Sequence, residues 1–197
     1  MPRGLRIWFP GAWDHIIARG NNAEAIFFSP RDYLKYLSLL REGQVRYDFR
    51  LHAYALMANH AHLLIETGQQ PIAKTMQWVQ TTYTCYVNRK HGRVGHLFQG
   101  RYRSLLVERD SYLLRAEPVY SPEPGSSEAR SNPAKYRWSG YHAYTNSNHA
   151  GQELVTTHFI LGLFDPRKEH QASLYREFIE GGVRPQAGQA TPSPIGV

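Results

Sequence analysis

Between Arg46 and Glu66 two strand-length runs, "RYDFRLHAYALM" and "AHLLIE", stand either side of the three residues "ANH". A connection that short makes consecutive strands lie side by side and antiparallel. A helical pattern flanks this hairpin on each side. In "SPRDYLKYLSLLREG", Ser29 suits an N-cap and Pro30 the first helical position, Leu34, Leu37 and Leu40 make an apolar stripe, and Gly43 reads as the stop. In "PIAKTMQWVQTTYTCYVNRKHG", opened by Pro71, Ile72, Met76, Val79 and Tyr83 recur at helical spacing up to Gly92. A strand, "WDHIIAR" from Trp13 to Arg19, precedes the first helix and ends at the turn-prone "GNN"; "RYRSLLVE" reads as a fourth strand after the second. The order strand, helix, strand, strand, helix, strand predicts an α+β fold: a ferredoxin-like split βαβ with a four- to five-stranded antiparallel sheet and helices on one face.

A third helix is expected to start in "RDSYLLRAE", and two more in "THFILGLF" and "RKEHQASLYREFIEGG". These divide the chain into a main domain over 1–145, a small helical appendage over 146–183 and a disordered Pro-, Gly- and Ala-rich tail over 184–197. No apolar run reaches membrane-spanning length, and "MPRGLRIWFPGAW" lacks a secretory apolar core. Cys85 is the only cysteine, which excludes a disulfide framework, fits a reducing cytoplasm and reads as a buried small hydrophobe. Lys and Arg number 23 against 16 Asp and Glu, a formal charge of +7, which suggests a polyanionic partner.

Within the hairpin, "YALMANHAHLLIE" carries two histidines one residue apart. On a strand His60 and His62 project from one face, while Ala61, Leu63 and Ile65 point to the other and can join a core. Adjacent imidazoles pack poorly but make a good half of a metal site. Nitrogen donors suit Mn²⁺ and other first-row ions best; Mg²⁺ fits where a phosphate and waters complete the shell.

Four blocks in order, "FPGAWDHIIARGNN", "LHAYALMANHAHLLIE", "NRKHGRVGHLFQGRYRSLLVE" and "NPAKYRWSGYHAY", make the chain resemble the REP-associated tyrosine transposases, within the single-tyrosine HUH transposases, from about Arg3 to Gly182. The resemblance implies an enzyme that cuts single-stranded DNA beside a hairpin. A tyrosine hydroxyl attacks the phosphate, giving a 5′-phosphotyrosine and a free 3′-OH, so that the phosphoester is conserved for rejoining. It also implies a divalent Mg or Mn ion on His60 and His62 that polarises and orients the scissile group. Relatives occur as monomers and as dimers, so a homodimer is one assembly the resemblance allows.

The chain departs from the family at the nucleophile. There the family carries a helix with a run like Arg-Tyr-Ile-His-Leu-Asn-Pro-Val-Arg-Ala, tyrosine and asparagine one turn apart. The ungapped equivalent here is "PVYSPEPGSSEAR", Pro118 to Arg130. Val119 stands at the tyrosine position, Tyr120 one place later, and Glu123 at the position of the asparagine, a further metal ligand. One residue of slip turns a helical side chain by about 100°, and Pro118, Pro122 and Pro124 break a regular helix. With free codon choice, Ala116 to Glu128 read from the second base of each codon yields Leu-Ser-Arg-Tyr-Ile-His-Leu-Asn-Pro-Val-Arg-Ala. The hypothesis is a compensated pair of frameshifts over this segment, motivated by the matching blocks on both sides. We expect the shifted frame of the coding DNA to contain Tyr and Asn-Pro; a frame without them ends the idea.

Tyr120 and Glu123 are therefore the catalytic and third-ligand candidates. Tyr83, Tyr86, Tyr102 and Tyr112 read as packing residues. The basic residues Arg89, Lys90, Arg93, Arg101 and Arg103, interleaved with His91, His96, Phe98 and Tyr102, suit phosphate contact and base stacking on single-stranded or hairpin DNA. Arg19, Asn21 and Asn22 in "RGNN" form a second DNA-facing group. Trp138 suits either base stacking or packing. Two further readings are a catalytically inactive hairpin-DNA binder and a metallohydrolase using water, for which Glu66 is the only evident base.

Overall fold

The structure is a computed structural model and describes residues 8–107, 136–145 and 153–181. The third helix, Val119, Tyr120, Glu123 and the tail fall outside them. Four strands, β1 (Trp13–Arg19), β2 (Arg50–Met57), β3 (His60–Glu66) and β4 (Arg103–Val107), form one antiparallel sheet in the order β2-β3-β1-β4. With α1 (Pro30–Tyr47) between β1 and β2 and α2 (Ile72–His91) between β3 and β4, this is the expected split βαβ. Among the described residues three shorter helices follow: α3 (Tyr141–Thr145), α4 (His158–Gly162) and α5 (Lys168–Gly181).

Alternation decides the faces. Ile16 and Ala18 of β1 and Ala61, Leu63 and Ile65 of β3 are wholly buried in one core with Tyr36, Leu39 and Leu40 of α1 and Met76, Val79 and Tyr83 of α2. Each fully buried Leu or Ile side chain contributes about 1.5–3 kcal/mol. The α1 stripe is rotated from the expected one: Leu34 is half exposed, and the buried residues are Asp32, Tyr36, Leu39, Leu40 and Gly43. Nor does Gly43 stop the helix. A Cβ there would lie 3.2 Å from the Phe49 ring and 3.6 Å from Trp78, so glycine permits close packing. The stop is Asp48, in the left-handed conformation at φ 50°. In α2, Gly92 caps as expected, at φ 61°. Cys85, expected to be buried, is exposed on α2.

The two helices are locked together by one carboxylate. Asp32, fully buried in the first turn of α1, accepts hydrogen bonds from the amides of Phe28 (3.0 Å) and Ser29 (2.8 Å) in a capping-box arrangement. It also accepts from the last turns of α2: Tyr86 Oη at 3.1 Å, Lys90 Nζ at 2.6 Å and His91 Nε2 at 3.1 Å.

The outer edge of β2 is covered by later chain. Leu56 N donates to Trp138 O, Gly140 N to Tyr54 O and Thr156 N to Leu51 O, so this edge has hydrogen-bond partners along its length. Trp138 is a packing anchor, stacked on Tyr33 with ring centroids 4.3 Å apart. Leu154, Val155, Ile160 and Tyr175 are buried in the same core cluster as the sheet. Among the described residues no helix is long and apolar enough to cross a membrane.

Candidate metal centre and nucleic-acid interface

His60 and His62 lie on the face of β3 opposite α1 and α2. In register, Arg19 pairs with His60 and Ile17 with His62 across β1, and Met57 and Ala55 pair with them across β2. His15, two residues before Ile17, is therefore their diagonal neighbour on the same face. The His60 and His62 rings meet edge to face, centroids 4.8 Å apart. His15 Nε2 lies 3.1 Å from His62 Nδ1. All three residues are at least nine-tenths buried.

The hairpin tip, Ala58–Asn59, is gripped by the segment after β1. Gly20 N donates to Asn59 O at 2.8 Å, and Ile26 N and Phe27 N both donate to Ala58 O. Only glycine fits at position 20, since a Cβ would stand 2.1 Å from Glu24 O. Asn59 ties the turn to the site. Its Nδ2 donates to Ala23 O at 3.1 Å, which orients the amide so that Oδ1, 2.6 Å from His60 Nδ1, accepts a hydrogen bond from that N–H. The lone pair of neutral His60 is then on Nε2.

Burial, reinforced by the neighbouring imidazoles of His60 and His15, pushes the His62 pKa down to about 3. Burial likewise lowers that of His15. Neutral imidazole is the form that ligates metal, and two adjacent rings on one strand face fit a divalent ion as two nitrogen donors. Among the described residues no third His, Cys, Asp or Glu completes a metal cluster with them; Glu123, the expected third ligand, lies outside those residues.

Beside His60 a cavity of about 330 Å³ opens between β1 and the approach to β4, lined by Ile17, Arg19, His60, Gln99, Gly100, Arg101 and Arg103. Its wall is built by pairing the "HLFQG" segment with the end of β1: Asn21 N donates to Leu97 O, Gln99 N to Arg19 O, and Gly20 bridges Phe98. Thus "RGNN" and the basic segment, 80 residues apart, meet at one place.

The DNA-facing candidates divide accordingly. Arg19, Arg101 and Arg103 are exposed and converge on the cavity. Asn21 and Asn22 form the adjoining 3-10 turn, with Asn22 exposed and left-handed at φ 50°. Lys90 reaches back to Asp32, Arg93 pairs with Glu24 at 3.2 Å, and Arg89 is exposed on the last turn of α2. Phe98 and Tyr102 are buried, so their rings pack inside and offer no face to a base.

The sequence model described as "Transposase IS200 like" matches residues 11–115, which hold both histidines, the cavity wall and all four strands. The chain belongs to the IS200-like transposase family. No curated protein matches this transposase. A solved REP-associated tyrosine transposase bound to a REP hairpin is similar to it in fold, at TM-score 0.50 and 14% identity over 70% of this chain and 76% of that one. A candidate transposase from Deinococcus radiodurans matches at TM-score 0.40 and 18% identity, over 60% of this chain and 95% of that one.

At the other end of the same face the transposase carries a group that sequence reasoning missed. His52 is buried, stacked on Trp13 at 4.0 Å, with Nε2 2.8 Å from Glu66 Oε2 and Nδ1 3.0 Å from Thr156 O. Glu66 Oε1 also accepts from Arg50 at 3.1 Å. With both oxygens engaged, Glu66 at the end of β3 holds Arg50 and His52 of β2, and His52 in turn reaches Thr156 in the segment leading into α4. His15 and Asn59 were missed as well; what exposes them is register and hairpin geometry, since both sit inside the quoted blocks.

Proposed function

We propose that the chain is a divalent-metal-dependent transposase that cuts and rejoins single-stranded DNA at hairpin-forming palindromic repeats through a 5′-phosphotyrosine. The observation that carries this reading is the pair of same-face imidazoles, His60 and His62, at the edge of a cavity walled by Arg19, Arg101 and Arg103. His60 and His62 hold Mg²⁺ or Mn²⁺, with Glu123 as a third ligand. Bound there, the ion would polarise the scissile phosphoryl group. The three guanidiniums grip flanking phosphates and fix the strand in register. The tyrosine oxygen forms a bond to phosphorus as the bond to the 3′ oxygen breaks, and the proton it loses balances the one gained by the leaving 3′-OH. Tyr120 is the candidate nucleophile. The similar REP-associated transposase is bound to a REP hairpin, and we extend that partner class, hairpin DNA, to this chain in a cytoplasmic setting.

Val119 at the family's tyrosine position favours one second reading, a catalytically inactive relative that binds hairpin DNA. A labelled hairpin with a single-stranded flank, incubated with Mn²⁺, separates the two. We expect a covalent protein–DNA adduct that survives denaturing electrophoresis and is lost in Tyr120→Phe. Binding that weakens steeply with salt, without adduct, assigns the chain to the second reading.

A further inference from the structure

We propose that His15 is a positioning residue for His62, holding that ring as the tautomer with its proton on Nδ1 and its lone pair on Nε2. The inference rests on the reading above that His62 ligates a divalent cation. The 3.1 Å contact between His15 Nε2 and His62 Nδ1 needs one proton between two nitrogens. If His15 donates it, neutral His62 carries its own proton on Nε2, and that nitrogen cannot take a metal. If His62 donates it, Nε2 holds the lone pair and Nδ1–H is satisfied. A cation on Nε2 and a hydrogen bond to His15 therefore select the same tautomer.

The two flanking residues then act alike. Asn59 accepts from His60 Nδ1, and His15 accepts from His62 Nδ1. An acceptor on the far nitrogen of a ligating imidazole fixes ring orientation and raises its basicity. Backbone pairing holds His15 in place: Asp14, His15 and Ile16 pair with Ile65, Leu64 and Leu63 on one side and with Leu106, Leu105 and Ser104 on the other. His15 as a residue is also only 6% exposed, which leaves water little access to the bond. A leucine would fill the space, but it could not accept the hydrogen bond.

The test uses the full chain with Mn²⁺ alone, titrated by electron paramagnetic resonance, together with ¹⁵N spectra of the metal-free histidines. His15→Leu should weaken Mn²⁺ binding about 10- to 100-fold, while His15→Gln, whose amide oxygen can accept, should stay within about three-fold of wild type. In metal-free wild type the His62 proton should sit on Nδ1, and in His15→Leu the two tautomers should mix. Wild-type Mn²⁺ affinity in folded His15→Leu overturns the proposal, as does a wild-type His62 protonated on Nε2. If the leucine variant does not fold, the glutamine variant decides: retained affinity upholds the proposal and a loss of about ten-fold overturns it. If wild type binds no Mn²⁺, the metal reading fails. The His62 tautomer then still decides the His15 contact, which stands if it shifts in His15→Leu and falls if it does not.

Discussion

His62→Ala is expected to abolish stoichiometric Mn²⁺ binding and to lower adduct formation on hairpin DNA by on the order of 10³-fold or more, with DNA binding largely kept. The expectation follows from position. His62 sits mid-strand between β1 and β2, its backbone paired on both sides, so its ring is aimed by the sheet and no neighbour can swing into its place. Its partner ring, His60, lies 4.8 Å away, and one imidazole alone holds a divalent first-row ion only weakly. The arginines proposed to grip phosphate, Arg19, Arg101 and Arg103, are separate side chains, so affinity for DNA and its salt dependence should change little. Calorimetry with Mn²⁺ and fluorescence anisotropy with a labelled hairpin measure the two effects independently. Undiminished adduct in His62→Ala, or full activity in excess chelator, would remove the metal from the mechanism. Equal loss of metal and DNA binding would mean that the variant had misfolded, which a thermal melt detects.

The shared face of His60 and His62 was legible because alternation along a strand is a local rule. So were the existence of the two helices, their proline starts, the α2 spacing and its Gly92 stop, all written in consecutive residues. What escaped depends on partners far along the chain. His15 becomes a neighbour of His62 only once β1 is set in register against β3, across 47 residues. His52 shares the site face because β2 shifts register between Leu51 and Ala53; Leu51 pairs with core-facing Ile65, whereas Ala53 pairs with Leu64 on the histidine face. Strict alternation puts Leu51 and Ala53 on one face. Gly43 misled for a similar reason: glycine reads locally as a stop, but here its missing side chain admits Phe49 and Trp78. Lys90 belongs in a basic run by sequence, yet its ammonium is drawn 2.6 Å from a carboxylate 58 residues earlier.

That carboxylate sets the second large effect, on stability. Asp32→Asn is expected to cost about 3 kcal/mol, lowering the melting temperature by roughly 6–12 °C. Asp32 only accepts, and every group around it donates: the Phe28 and Ser29 amides, Ser29 Oγ, Tyr86 Oη, Lys90 Nζ and His91 Nε2. An asparagine amide would turn an NH₂ toward donors and remove the charge that offsets them. Burial works to raise the Asp32 pKa, but the hydrogen bonds from Lys90, His91, Phe28 and Ser29 outweigh it and hold the carboxyl well below the usual carboxylate range. A folded pKa below the unfolded one means that the contribution is complete above the unfolded value of about 4 and is lost as pH falls through the folded value. Melts from pH 7 down to pH 2 should show the gap between wild type and Asp32→Asn constant above about pH 5 and closing in acid. A gap that persists unchanged to pH 2 would assign the loss to packing and not to the charge. Because Asp32 joins the start of α1 to the end of α2, its loss loosens the helical layer behind the sheet, and Mn²⁺ affinity at His60 and His62 should survive wherever the variant remains folded.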